Sequence, residues 1–360
     1  MNEMSSLKAI HHPDKIEQFK SRKLVYPVYV EIDPVAACNH DCSFCRFHAF
    51  RGNQFNKNLN LGDTIKIDKM MEILWDCADM GVKAVQFVGG GEPSLHPNFE
   101  SMLQYANLCN LEIGLISNGV SSAWKRFARE ITYCLNKNGQ WVRFSLDAAT
   151  KDTYDIIHRG RMNDFDCVTN SIKTVCKHRN DKVTVGISFV VVQENVNNIV
   201  DASKRSVDLG ADYIRFAAFV PPDVAIDGTN DFYDKDLISQ IRRELERIPD
   251  SINFADDFSI RHATSKIDRY EKGDHCYFSC MVASIGADLN LYPCCVWKYH
   301  PDAVIGSLEK ESLKTVWESA ERHAFYSRFD ISEVCNSCYL KPKNDVIKYL
   351  INEPKHVNFL

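Results

Sequence analysis

The sequence predicts an α/β fold: a partial (β/α)6 barrel followed by a small, Cys-rich α+β domain. Three observations predict it. From residue 25 to about 220, short β-rich runs alternate with helical stretches. Six such units favour one barrel or partial barrel over two separate sheets, because strands joined by helical crossovers run parallel. From about residue 270 the chain turns irregular and carries Cys276, Cys280, Cys294, Cys295, Cys335 and Cys338.

The elements follow in order. VYPVYVEID (25–33) is rich in Val and Ile and predicts the first strand. Residues 67–82 place Ile67, Met70, Met71, Leu74 and Ala78 on one helical face and end near Gly81. The strand KAVQFVGG (83–90) runs into glycines. A helix over 98–110 leads to the strand 111–117, and a helix over 121–139 to the strand 141–148. A helix over 168–179 precedes the long strand 182–192, and a helix over 197–210 precedes the sixth strand, 211–219. The rhythm breaks around Pro221, Pro222 and Asp223, and a further helix is expected over 230–249. The tail carries helical stretches at 310–328 and 342–351 and a hairpin in IGADLNLYPCC, turning near Asp288–Asn290. The expected divisions are an N-terminal extension (1–24), the barrel (25–222), a helical linker (223–270) and the Cys-rich domain (271–360).

Composition narrows the function. The net charge is −5, from 43 basic and 48 acidic residues, which argues against a surface that holds nucleic acid through its phosphates. The first 20 residues lack the apolar core of a secretory signal, and no apolar run approaches the roughly 20 residues that span a bilayer. A reducing, cytoplasmic setting is expected, with no membrane partner. There, 14 cysteines in 360 residues point to metal or catalysis rather than disulfides.

Cys38, Cys42 and Cys45 lie directly after the first strand, spaced C-x3-C-x2-C. Three thiolates on one loop hold three corners of an iron–sulfur cube and leave one iron open. A zinc site remains an alternative on spacing alone, with His40 or His48 as fourth ligand. Barrel folds carry their chemistry on loops at the C-terminal ends of strands. Such loops here hold Gly89-Gly90-Gly91-Glu92-Pro93, then Ser117-Asn118-Gly119, then Ser145-Leu146-Asp147-Ala148, then His158-Arg159-Gly160, with Asn195 after the fifth strand. Each also reads as ordinary turn or cap chemistry.

In this order the segments resemble the radical S-adenosylmethionine (radical SAM) family over residues 25–220. The resemblance implies a [4Fe–4S] cluster on Cys38, Cys42 and Cys45 that binds S-adenosylmethionine at its open iron. Phe44 stands where the family places an aromatic residue. The Gly90-Gly91-Glu92 turn would meet the cofactor's amino group. Ser117, Asn118, Ser145 and Asp147 would suit its ribose and carboxylate, and Arg159 its carboxylate. Reductive cleavage would give a 5′-deoxyadenosyl radical that abstracts hydrogen from substrate. A flavodoxin- or ferredoxin-type protein would supply the electron.

The tail resembles the SPASM/twitch extension of the same family, through Cys276, Asp288, Pro293, Cys294, residues 305–317 and Cys335-x2-Cys338. This implies an auxiliary [4Fe–4S] cluster on Cys276, Cys294, Cys335 and Cys338. Cys280 and Cys295 remain alternative ligands, or hydrogen-atom donors. No cysteine follows Cys338, so the one-cluster twitch form fits. Leu289 stands where a glycine commonly follows the aspartate. Cys77, Cys109, Cys134, Cys167 and Cys176 fall at core-like helical positions and read as small hydrophobes. The segment before the first strand is short for a peptide-recognition domain, so a small polar substrate (sugar-, cyclitol- or nucleotide-like) is expected, with dehydrogenation or epimerisation as the outcome. A peptide-modifying maturase and a non-enzymatic iron–sulfur or zinc protein are the alternatives.

Overall fold

The computed structural model describes residues 5–48, 56–136, 140–221, 232–259, 270–335 and 338–352. The six predicted strands form, in sequence order, one parallel array: β1 (Tyr29–Ile32), β2 (Ala84–Phe87), β3 (Glu112–Ser117), β4 (Trp141–Ser145), β5 (Thr184–Val191) and β6 (Tyr213–Ala218). Sequential parallel order is that of a partial barrel. A seventh strand, β7 (Phe254–Asp256), continues it beside β6, and the sequence pattern had not predicted it.

After α1 (Pro13–Lys20), the crossovers are α2 (Ile67–Asp79), α3 (Phe99–Leu108), α4 (Ser122–Cys134), α5 (Lys151–His158), α6 (Asp164–His178), α7 (Ile199–Asp208) and α8 (Lys235–Glu246). They form where apolar residues recur at helical spacing. α2 buries Met70, Ile73, Leu74 and Cys77 against the sheet. Each such side chain contributes about 1.5–3 kcal/mol. Of the expected helices over 121–139 and 230–249, residues 137–139 and 230–231 lie outside the described residues, as do Pro222, Asp223 and most of the break that follows.

Two departures concern the tail. Its hairpin, β8 (Val282–Ile285) and β9 (Asn290–Tyr292), is present with Ser284 opposite Tyr292. It does not form a sheet of its own. β8 pairs in parallel with β1, so β8, β9 and β10 (Gly306–Ser307) extend the barrel sheet to ten strands. β1 would otherwise leave an open edge, with its ladder groups unpaired. The expected helix over 310–328 is two, α10 (Leu313–Glu318) and α11 (Ala320–Arg328), because Ser319 adopts extended backbone and caps the second through Arg322 N at 3.1 Å. Among the short tail helices α9 (Phe278–Met281), α12 (Ile331–Val334) and α13 (Lys341–Ile351), the last matches the expected 342–351.

The main core lies between the sheet and its crossover helices. A second core under the tail joins Ile16 and Val25 to Phe278, Trp297, Ile331 and Ile347, which seats the N-terminal segment on the Cys-rich region.

Candidate functional site

The loop carrying Cys38, Cys42 and Cys45 leaves the C-terminal end of β1 and is fastened on two sides. Asp41 N and Ser43 N donate to the last carbonyls of α5, His158 O and Ile157 O, at 3.1 and 2.9 Å. On the other side the Gly89–Glu92 turn presses against it: Glu92 N donates to Ala37 O at 2.9 Å. A Cβ on Gly91 would lie 2.1 Å from that same oxygen. The close approach that requires glycine at 91 is therefore to the cysteine loop's own backbone.

Glu92 is 3% exposed. Its Oε1 accepts from Ser94 N, Ser94 Oγ and Ser117 Oγ at 3.1, 2.5 and 2.6 Å, and its Oε2 accepts from Asn118 N at 2.7 Å. Burial pushes its carboxyl pKa up, and these donors oppose the rise. Ser117 Oγ also accepts from Trp124 Nε1 at 2.7 Å, and Asn118 Nδ2 donates to Asn39 in the cysteine loop at 2.7 Å. The hydrogen bonds of Glu92, Ser117 and Asn118 thus tie two strand ends to the cysteine loop. Asp147 acts likewise. It takes a left-handed backbone (φ 54°), accepts from Val190 N at 2.6 Å and lies 3.2 Å from His158 Nε2. Asn195, fully buried, donates to Asp147 O and Val190 O at 2.9 and 2.8 Å.

Phe44 meets His158 edge-on at 6.2 Å between centroids. Ser145 is half-buried at the end of β4. Arg159 is exposed, with a left-handed backbone at the end of α5. The cysteine loop is lined by imidazoles. His158 Nδ1 is 3.2 Å from Cys42 Sγ, and His40, Cys42 and His158 are the one set among the described residues with ligand atoms all within 4.8 Å. His48 Nε2 lies 2.8 Å from Gly90 O, which joins it to the glycine turn. Burial pushes the Cys38 thiol up to about 12, with the Glu92 carboxylate adding to the rise, and raises Cys42 well above its ordinary value.

The tail thiols gather separately. Cys276, Cys294, Cys335 and Cys338 line one apolar cavity with Tyr270 and Trp297. Burial raises all four, and the charge of its neighbours raises each of Cys294, Cys335 and Cys338 further. Cys280 and Cys295 do not line that cavity. Cys280 faces His275 at 3.7 Å, and Cys295 faces the Tyr339 hydroxyl at 3.4 Å.

Between the two cysteine groups lies a buried charge network that sequence reasoning missed. Lys298 Nζ is 2.7 Å from both Glu31 Oε1 and Asp33 Oδ1. Asp33 Oδ2 accepts from Gly90 N at 2.7 Å and from the Tyr299 hydroxyl at 2.9 Å. Arg46, next to Cys45, donates to Val296 O. The available signal was two acids two residues apart in an otherwise apolar strand, which puts both on one face.

Residues 32–205 match the radical SAM superfamily, and residues 276–339 match the SPASM iron–sulfur cluster-binding domain. The chain belongs to the radical SAM superfamily. It is an enzyme of that superfamily, and S-adenosylmethionine and [4Fe–4S] clusters are its cofactors. A tungsten-containing aldehyde ferredoxin oxidoreductase cofactor-modifying protein of Pyrococcus furiosus is 22% identical over 347 residues, 89% of each chain. A GTP 3′,8-cyclase of Clostridium perfringens is 25% identical over 321 residues, 82% of this chain and 92% of the cyclase. The fold is that of Streptococcus suis SuiB, solved bound to its precursor peptide SuiA, with a TM-score of 0.64 at 16% identity, covering 93% of this chain and 77% of SuiB.

The donor sets of this radical SAM chain fit those cofactors. Cysteine thiolates are the usual ligands of iron–sulfur clusters, and the loop after β1 offers three of them while the tail cavity offers four. The raised thiols would ionise once a cation is bound. Among the described residues no helix is long and apolar enough to cross a membrane.

Proposed function

We propose that Cys38, Cys42 and Cys45 hold the cluster that binds S-adenosylmethionine, and that Cys276, Cys294, Cys335 and Cys338 hold an auxiliary cluster. The observation that carries the first assignment is the three-thiol loop at the C-terminal end of β1, clamped between α5 and the Gly89–Glu92 turn. For the second it is the cavity lined by four cysteines. When bound, the reactive cluster supplies one electron to cleave S-adenosylmethionine into methionine and a 5′-deoxyadenosyl radical, which takes a hydrogen atom from substrate.

The chain's own residues position this chemistry. Glu92, Ser117, Asn118 and Asp147 hold the strand-end turns in register with the cysteine loop. Backbone of Gly90 and Gly91, the ring of Phe44, the hydroxyl of Ser145 and the guanidinium of Arg159 are left to face the cofactor. His158 keeps a nitrogen against Cys42, and Asp147 and Leu146 O fix its other nitrogen, each at 3.2 Å. A flavodoxin- or ferredoxin-type donor delivers the electron.

The substrate reading is a small polar molecule undergoing dehydrogenation or epimerisation. The similarity to a GTP 3′,8-cyclase over most of both chains supports a small substrate. A second reading, peptide modification, is supported by the fold shared with SuiB, which binds a precursor peptide. Anaerobic reconstitution with dithionite and S-adenosylmethionine tests the radical reading. 5′-Deoxyadenosine is expected from the parent and not from Cys42→Ala; no product from the parent overturns it. Product mass then separates outcomes: loss of two hydrogens means oxidation, and unchanged mass in ordinary water with one deuterium gained in heavy water means epimerisation.

A further inference from the structure

Side chains along β4 alternate between two environments. Val142 and Phe144 are fully buried on the helix side, Phe144 against Trp124 of α4 with ring centroids 5.0 Å apart. Trp141, Arg143 and Ser145 therefore point the other way, into the barrel. The neighbouring strands continue this inner face: Arg143 is the register partner of Gly186 and Ser145 of Ser188, while Gly186 pairs with Tyr213 and Ser188 with Arg215. Two aromatic rings floor the lumen at the N-terminal ends of the strands. A Cβ on Gly114 would come within 2.5 Å of the Trp141 ring, and one on Gly186 within 2.4 Å of the Tyr213 ring, so each ring lies over a glycine of the adjacent strand.

Above this floor stand two arginines, the charged residues of β4–β6. Arg215 is paired with Asp257. Among the described residues Arg143 has no such counter-charge. Its guanidinium lies 5.2 Å from the centre of the Trp141 ring, and its Nε is buried without a hydrogen-bond partner. Ser145 and Ser188, about 7 Å further along the strands toward the cysteine loop, make no side-chain hydrogen bond among the described residues. Arg143 is half-buried, so an anion beside it would be less screened than in open water, and its planar fork of donors matches a carboxylate or phosphate.

We propose that Arg143 anchors the substrate by an oxyanion, a carboxylate or a phosphate, near the floor of the barrel, with the rest of the molecule directed up past Ser188 toward the cysteine loop. The proposal rests on the radical SAM reading above and adds the substrate's charge to it. Ser188 hydrogen-bonds the same group or the atoms next to it.

The test is calorimetric titration of the full chain, loaded with its clusters, with inorganic phosphate and separately with acetate. Saturable binding of at least one anion is expected, weaker by about tenfold in Arg143→Gln and intermediate in Arg143→Lys, which keeps the charge and loses the fork. The preferred anion tells phosphate from carboxylate. Equal affinity in Arg143→Gln and the parent overturns the proposal, as does the absence of saturable binding of either anion by the parent. If the glutamine variant fails to fold, the difference between parent and Arg143→Lys carries the test, and equality counts against the proposal. A comparable loss of S-adenosylmethionine affinity in the variants also overturns it, because the guanidinium then serves the cofactor's carboxylate. Failure of the radical reading looks different: the parent forms no 5′-deoxyadenosine, whatever the anion titration gives.

Discussion

Lys298 is 1% exposed and bridges two carboxylates, Glu31 on β1 and Asp33 just after it. Burial disfavours its charge, but the two acids more than offset this, and its pKa lies above the ordinary lysine value. A lysine raised in the folded state contributes stability fully below its unfolded value of about 10.4 and loses it as pH rises through the folded value. Lys298→Met is therefore expected to destabilise by about 3–5 kcal/mol at neutral pH. It should also flatten the alkaline limb of the stability–pH curve above about pH 10, both read by urea unfolding. Gly91→Ala is expected to push the Ala36–Ala37 backbone away from the turn, costing about 1–3 kcal/mol. Iron analysis should then show loss from the N-terminal cluster ahead of the tail cluster. The gathering of Cys38, Cys42 and Cys45 on one loop after β1 was legible, because the three fall within eight residues directly after a recognisable strand. The part played by Glu92, Ser117 and Asn118 was not. Residue identity suggested hydrogen-bonding groups aimed at a ligand, and it carried no information that Ser94, Ser117 and Asn118 also converge as donors on the one Glu92 carboxylate.

The edge of β1 is closed by β8, and this pairing is a claim that can be broken at one position. Ala283 is fully buried and opposite Val30 in a strand with neighbours on both sides. Ala283→Pro removes a ladder donor there and is expected to cost on the order of 2–4 kcal/mol. Hydrogen exchange should show faster exchange in β1 and β8 together, with β4 and β5 unchanged. Long, periodic elements were readable from sequence: all six barrel strands and the helices between them appear within a few residues of the predicted bounds. The misses are short or depend on partners. β7 has three residues and α5 eight, too few to display a period. The hairpin's alternation gave its two strands but carried no information about which sheet would accept them. The single helix expected over 310–328 failed at Ser319, a residue whose side chain prefers to cap a new helix over continuing an old one.

For the molecule as a whole, two [4Fe–4S] clusters predict about eight iron and eight sulfide per chain. The Cys335→Ala, Cys338→Ala double variant is expected to retain about half, with the signal of the S-adenosylmethionine-binding cluster preserved; unchanged iron would send the tail assignment back to other cysteines. The route between the two groups of thiols is short in sequence as well as in space. Cys294 lines the tail cavity, and four and five residues later Lys298 and Tyr299 grip Glu31 and Asp33. Asp33 in turn holds the amide of Gly90 beside the first cysteine loop. This linkage bears on how the protein can be taken apart. A chain ended before residue 270 would keep every barrel strand, yet it would expose the edge of β1, strand two acids without their cation and slacken the glycine turn. The tail is thus part of the keystone of the barrel's mouth, and a fragment or chimera that treats the two halves as interchangeable cassettes would have to rebuild that grip before it could bind anything there.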